Sequence, residues 1–301
     1  MNPTIQLLVS LLLTDFPSGS ALCYHAGKIY LIGDDATQIV VLNPDYGKVD
    51  SITLFNSSER RIPKSQKTDL EAATLVELKG QKHILIVGSA STEKRKRVTL
   101  IPMNSLGQLQ EPLRWYDVRE FIDRIVMSGI EDVNLEGVTI IGGLAILANR
   151  GNQSKPTNHM IVTENNFWDS QTETPIDICP LILPDSHTEF AGVSEVYYSG
   201  ANDVLFLSFS NEDSSNSYDD GTIGGSFIGW INNASQRIDS REWRLDGLIP
   251  LADVAQEFAK QKIEGLCVEL VEGNKYILHL ISDNDLGESK LFKIKMEFQS
   301  K

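Results

Sequence analysis

The stretch Val133-Asn134-Leu135-Glu136-Gly137-Val138-Thr139-Ile140-Ile141-Gly142-Gly143-Leu144-Ala145-Ile146-Leu147-Ala148-Asn149-Arg150-Gly151 decides how the rest of the chain is read. An acidic residue leads into a short apolar strand, Gly142-Gly143 reverses the chain, and a second apolar strand returns to a polar tip at Asn149-Arg150-Gly151. Two apolar runs around a glycine turn specify a β-hairpin, here with polar groups at its open end. Asp69-Leu70-Glu71-Ala72, continued by Ala73 to Leu78 and by Ile84 to Val87, is a second copy, and altered copies begin at Ala21, Ala191 and Glu264.

Each hairpin is followed by further short strands, so that the repeat is a four-stranded antiparallel blade and the chain reads as an all-β, five-bladed β-propeller occupying residues 1–301 as a single domain. The fifth copy is short of one strand, while Gln6 to Leu12 is a strand with no blade. Pairing the two closes the ring and removes two sheet edges that invite aggregation. A repeat of about 60 residues is long for a propeller, and a six-bladed ring follows if two blades are fused between Gly151 and Thr188 or between Asn211 and Gly247. Two short helical insertions are expected. One carries Trp115, Val118, Phe121, Ile122 and Ile125 at helical spacing, with Asp117 and Glu120 in capping-box form; the other spans Leu251 to Lys260.

Composition excludes several classes of function. A formal charge of −14, from 27 basic and 41 acidic residues, leaves no broad basic face for a nucleic-acid backbone, and the run Lys94-Arg95-Lys96-Arg97 reads as a solvated hairpin tip. Three cysteines without metal-ligand or disulfide spacing read as reduced thiols. The apolar run Ile5 to Leu13 is too short to cross a bilayer as a helix, so the expectation is a soluble, cytoplasmic protein without a membrane partner. The five histidines are scattered, and His279, in an alternating strand, reads as a satisfied histidine of the core or surface rather than a catalyst.

Propeller geometry then brings distant residues together. In each blade the loop leading into the first strand and the loop leaving the second open on the same face. The leading positions are Ser20, Glu71, Glu136, Ala191 and Glu264, and two residues earlier lie Ser18, Asp69, Asn134, Glu189 and Lys262. The outgoing tips add Asp34, Asp35, Ser89, Asn149, Arg150, Glu212, Asp213, Asp283 and Asp285. Carboxylates about 5 Å apart at an effective dielectric near 20 repel by roughly 3 kcal/mol per pair. Either a cation sits among Glu71, Glu136 and Glu264, in which case oxygen-only donors favour calcium or magnesium, or protons and the basic groups Lys67 and Arg150 neutralise them. The acidic stretches Asp213 to Gly221 and Asp283 to Glu288 read as turns, since neither follows the EF-hand order of ligands.

The segments D-L-E-A, N-L-E-G and K-I-E-G, with A-N-R-G-N and Y-D-D-G-T-I-G-G-S-F, resemble an uncharacterised bacterial β-propeller family related to the phytase-like propellers. That resemblance implies calcium held over the channel by acidic side chains, here Glu71, Glu136 and Glu264, with Ser20 and Ala191 departing from the pattern. Lys67, Asp69, Asn149, Arg150, Asp34 and Asp283 are the expected ligand-binding groups around them. Two functions are compatible with this reading. One is a calcium-dependent hydrolase of a small ester, lactone or phosphoester; the other is a non-catalytic propeller that binds a small molecule or a protein at the channel face, with a structural ion-pair network.

Overall fold

A computed structural model describes residues 3–212, 223–283 and 287–299. Alternating apolar runs separated by glycine and asparagine turns fold into five sheets arranged as the blades of a propeller. The last blade joins β1 (Thr4–Leu13) to β19 (Lys262–Glu272), β20 (Lys275–Asp283) and β21 (Ser289–Glu297) in the order β1-β21-β20-β19. The orphan strand does close the ring, antiparallel to β21 from Thr4 opposite Glu297 to Leu13 opposite Ser289, with a bulge between Leu7 and Val9.

Blade one is β2 (Gly19–His25), β3 (Lys28–Gly33), β4 (Gln38–Leu42) and β5 (Lys48–Thr53); blade two is β6 (Leu70–Leu78), β7 (Gln81–Gly88), β8 (Arg97–Pro102) and β9 (Arg114–Asp117). Blade three contains β10 (Leu135–Ile141), β11 (Leu144–Asn149), β12 (Asn158–Glu164) and β13 (Asp177–Ile182). Blade four is built from β14 (Gly192–Ser199), β15 (Val204–Glu212), β16 (Ile223–Asn232) and β18 (Gly247–Pro250). The six-bladed alternative is thereby excluded.

The segment Glu242 to Leu248 divides between two sheets. Its first part, β17 (Trp243–Arg244), crosses to blade three and lies parallel to β13, while β18 completes blade four. Burial explains the crossing: Trp243 is fully enclosed in the core between blades three and four, among Leu181, Phe209 and Leu245.

Of the two helical insertions, the first is α1 (Arg119–Met127), which buries Phe121, Ile122 and Ile125 against blades two and three. Asp117 serves its N-terminus by accepting the Arg119 amide at 3.1 Å, so the expected capping box with Glu120 is replaced by a shorter contact. The second is two single 3₁₀ turns, Leu251–Asp253 and Gln256–Phe258, because Ala255 between them is extended, at φ −160° and ψ 148°.

The five inner strands β2, β6, β10, β14 and β19 share one irregularity. Each has a β-bulge one turn into the blade, between Gly19 and Ala21, Leu70 and Ala72, Leu135 and Gly137, Val193 and Glu195, and Ile263 and Gly265. A bulge adds one residue that the partner strand does not match and re-aims its side chain. The bulged residues are Ser20, Glu71, Glu136, Ser194 and Glu264. Blade four therefore contributes Ser194, and the reading that placed Ala191 there was three residues out of register.

The residue after the bulge is small in four blades because the neighbouring inner strand passes close by. A Cβ on Gly137 would come within 2.9 Å of the Val196 amide nitrogen. This steric demand accounts for the repeated Glu-Gly and Glu-Ala pairs.

Candidate functional site at the channel mouth

The bulges and the outgoing loops of the second strands meet at one end of the channel. Backbone bonds tie the two together in the same way in three blades: Asp34 N–H to Ser18 O at 3.0 Å, Ser89 N–H to Asp69 O at 2.8 Å, and Arg150 N–H to Asn134 O at 2.8 Å. Ser18 and Asp69 hold left-handed backbone, with φ of 47° and 55°, a conformation that costs a non-glycine residue free energy and is kept only where the surroundings impose it.

Carboxylate oxygens of Asp34, Asp69 and Glu71 lie within 4.8 Å of one another. Lys67 bridges this group, its ammonium contacting Asp34 and standing 2.6 Å from Asp69 Oδ1. Asp69 also takes Arg95 Nη1 at 2.7 Å and the Ser89 hydroxyl at 2.5 Å through Oδ2. Arg95 is 4% exposed, so the basic run expected to be a solvated tip sends one side chain into the mouth. Arg61 holds Asp35 at 2.7 Å and reaches the Ser18 hydroxyl. Asp283 joins Asp34, Asp35, Arg61 and Lys67 around a cavity of about 330 Å³ that opens the mouth to solvent.

The other two glutamates are compensated separately. Glu136 Oε1 accepts Asn134 Nδ2 at 2.6 Å and lies 4.0 Å from Arg150 Nη1. Lys262 Nζ stands 2.8 Å from Glu264. Arg150 runs across Gly192, where a Cβ would collide with its Nε at 2.4 Å, and donates to the Ser210 hydroxyl at 3.0 Å. Asn149 accepts the Asn134 amide at 2.8 Å and so supports the loop.

Glu71, Glu136 and Glu264 thus share the mouth, but the carboxylates that approach within reach of one ion are Asp34, Asp69 and Glu71. The sequence reading expected the three glutamates to form that group. Glu136 and Glu264 remain outside it because each is drawn to the cation of its own blade.

Burial sets the electrostatics. It pushes the Glu71 carboxyl well above the usual carboxylate range, and Asp69, Glu136, Asp34 and Glu264 add to the shift. Among the described residues Glu71 has no hydrogen bond or ion pair. Glu136 is raised to about 7 by burial, with Arg150 opposing and Glu264 reinforcing. Asp34 rises to about 6 by burial, with Lys67 opposing and Asp35 and Asp69 reinforcing. Glu264 is also raised by burial against the pull of Lys262. Burial would lower Lys67, yet Asp34, Asp69 and Glu71 outweigh it and hold the ammonium charged.

Among the buried and half-buried groups described at this end, the carboxylates (Asp34, Asp35, Asp69, Glu71, Glu136, Glu195, Glu264, Asp283) outnumber the cations (Arg61, Lys67, Arg95, Arg150, Lys262). A negative excess in a partly desolvated ring is balanced by protons or by a bound cation. Burial raises Glu71, Glu136 and Glu195 among these carboxyls, which favours their protonated forms.

Three participants escaped the sequence reading: Arg61, Arg95 and Glu195. Glu195 follows the bulge at Ser194, where the other blades have Ala or Gly, and is 1% exposed. Its Oε1 accepts the Val196 amide at 2.9 Å, Oε2 lacks a hydrogen-bond partner, and burial pushes its carboxyl well up. Correct alignment of blade four would have revealed it. His279 is the satisfied core histidine expected, set between the Tyr46 hydroxyl at 2.9 Å and Glu269 at 3.0 Å and lowered to about 4 by burial. The stretch Asp213 to Gly221 and residues 284–286 of the other acidic loop lie outside the described residues. Among the described residues no helix is long and apolar enough to cross a membrane.

A five-bladed ring whose bulged inner strands gather carboxylates at one mouth defines a β-propeller with an acidic channel site. The chain belongs to the family of unknown function DUF6929, which matches residues 15–296. Among curated proteins none matches the sequence significantly.

Of solved structures, glutaminyl cyclase from Myxococcus xanthus is similar over 99% of this chain and 98% of its own, at 11% identity and a TM-score of 0.54. A luciferin-regenerating enzyme matches over 99% and 98% of the two chains at 7% identity and a TM-score of 0.43. A member of the DUF4221 family from Bacteroides vulgatus matches over 99% of both at 11% identity and a TM-score of 0.42. At such identities the likeness to the cyclase concerns the fold alone.

Proposed function

We propose that the channel mouth binds a divalent cation, calcium by its donor chemistry, and that the protein is a hydrolase of a small ester, lactone or phosphoester. The observation that carries this is the compact group of Asp34, Asp69 and Glu71 oxygens within 4.8 Å, in a ring where the described carboxylates outnumber the cations. Hard carboxylate oxygens suit calcium or magnesium, and calcium accepts an irregular donor set more readily. The fit rests on Glu71, which has no hydrogen-bond partner among the described residues, and on Asp34 Oδ1, which is buried without one among them. The resemblance to phytase-like propellers points the same way.

Such a cation supplies Lewis acidity toward a carbonyl or phosphoryl oxygen. The chain's own contribution is positional. Asp34, Asp69 and Glu71 would hold the ion; Arg95 and Ser89 orient Asp69, Lys67 compensates Asp34 and Asp69 and would yield them to a cation, and Glu136, raised to about 7, would hold or release a proton near neutral pH, as a general acid or base must. The 330 Å³ cavity suits a small substrate.

A second reading has its own support. Lys67, Arg95, Arg61, Arg150 and Lys262 already compensate five of the carboxylates, which is the pattern of a ring held by ion pairs in a non-catalytic binding propeller. One experiment separates the two. Chelator-treated protein is titrated with calcium while its melting temperature is followed, then offered nitrophenyl esters, lactones and phosphoesters with and without the ion. Binding is expected to stabilise the fold by about 2.7 kcal/mol at a hundredfold excess over the dissociation constant, and Glu71→Gln to remove the response. Neither stabilisation nor ion-dependent turnover in the wild type would leave the binding propeller as the function.

A further inference from the structure

We infer that β1 is a self-association edge through which two copies of this chain pair strand to strand. β1 is the outermost strand of the last blade, so one side of its backbone has no partner strand among the described residues. Exposed sheet edges are normally kept short, charged or interrupted by proline. The other outer strands obey this: β5 carries Lys48 and Asp50, β9 carries Arg114 and Asp117, β17 has only two residues, Trp243 and Arg244, and β18 has four residues ending in Pro250. β1 has ten residues, Thr-Ile-Gln-Leu-Leu-Val-Ser-Leu-Leu-Leu, with neither charge nor proline. Leu8, Val9, Leu11 and Leu12 are exposed at 43%, 41%, 39% and 50%, half of the eight large apolar residues exposed among those described.

Two arguments select a second copy as the occupant. The first is charge. In a two-fold contact the same patch meets itself, so a chain with a net charge of −14 sets like charges against one another through most faces. An uncharged strip meets itself without that penalty. The second is area. The regular half of the strand, Val9 to Leu13, is about 17 Å long, and pairing it with its copy while covering Val9, Leu11 and Leu12 on each side buries less than about 1,000 Å², the size class of a weak, transient interface.

The bulge locates the axis. It interrupts the strand between Leu7 and Val9, whereas Val9 to Leu13 run in unbroken register against Lys293 to Ser289. Antiparallel pairing of that regular half centres on Leu11, placing Leu11 beside its copy and Val9 beside Leu13 of the second chain. The result is one eight-stranded sheet spanning two propellers.

Sedimentation velocity of the full chain from about 1 to about 100 μM tests this, a range that covers dimers of modest affinity. Concentration-dependent formation of a species of twice the mass is expected, and Leu11→Lys, which sets like charges on the axis, should weaken it at least about tenfold. Because that change could also loosen the last blade, a second variant is read beside it. Leu11→Cys should cross-link into a covalent dimer on mild oxidation while Leu7→Cys does not, the three native cysteines being buried. A wild type that stays monomeric throughout, a folded Leu11→Lys protein with unchanged association, or equal cross-linking from positions 7 and 11 overturns the inference.

Discussion

Arg150 Nη1 stands 4.0 Å from Glu136 Oε1, with the two side chains 8% and 10% exposed. At that distance the contact is electrostatic rather than a hydrogen bond, and Glu136 spends the same oxygen on Asn134. Removing one partner of a buried pair leaves the other uncompensated, at a cost of about 3–5 kcal/mol. Arg150→Met is therefore expected to lower stability in a denaturant melt by that order, and adding Glu136→Gln should restore part of it. Equal losses in the single and double variants would show that Arg150 acts through contacts other than Glu136, such as the Ser210 hydroxyl.

Lys67 provides a prediction with opposite signs in two measurements. Its ammonium compensates Asp34 and Asp69 in the absence of a metal and competes with any ion bound there. Lys67→Met should destabilise the chelator-treated protein, again by roughly 3–5 kcal/mol, yet tighten calcium binding measured by calorimetry. A variant that is both less stable and weaker in binding would count against ion exchange at this group.

The pH dependence follows from the raised carboxyls. Glu136 at about 7 and Asp34 at about 6 bind protons more tightly folded than unfolded, and Glu71 and Glu264 are shifted in the same direction. Their contribution to stability is fully present below the ordinary carboxylate range. It is lost as pH rises through the folded values, with a slope of about 1.4 kcal/mol per pH unit for each proton released. Chelator-treated protein should thus unfold at lower denaturant at pH 8 than at pH 5.5. Calcium should flatten this dependence, since it takes the place of the protons. Chemical denaturation at the two pH values, with and without the ion, measures both effects.

Closure of the ring predicts a response to truncation. β1 supplies the only strand that pairs with the free side of β21 among the described residues, and it contributes Ile5 and Leu7 to the core beside Phe292 and Ile294. Deleting residues 1–14 should broaden the thermal transition and lower its midpoint, because the last blade then has three strands and an open edge. Unchanged cooperative melting would refute the role of β1 in closure.

Blade number and the mouth glutamates were legible in the sequence because the signals are local. A strand, its turn and its return lie within twenty residues, and Glu136-Gly137, Glu71-Ala72 and Glu264-Gly265 record both the bulge and the close passage of the next inner strand. Blade four broke the pattern by placing Ser194 at the bulge and Glu195 after it, so periodicity alone could not register it. The capture of Asp69 by Arg95, the hold of Arg61 on Asp35 and the crossing of Trp243 to blade three join residues 26 to more than 60 positions apart. Hydrophobic alternation carries no information about such partners. They are decided by ring closure, which sets buried charges beside one another and leaves each to find the nearest counter-charge, and by the volume that an indole ring must fill between two sheets.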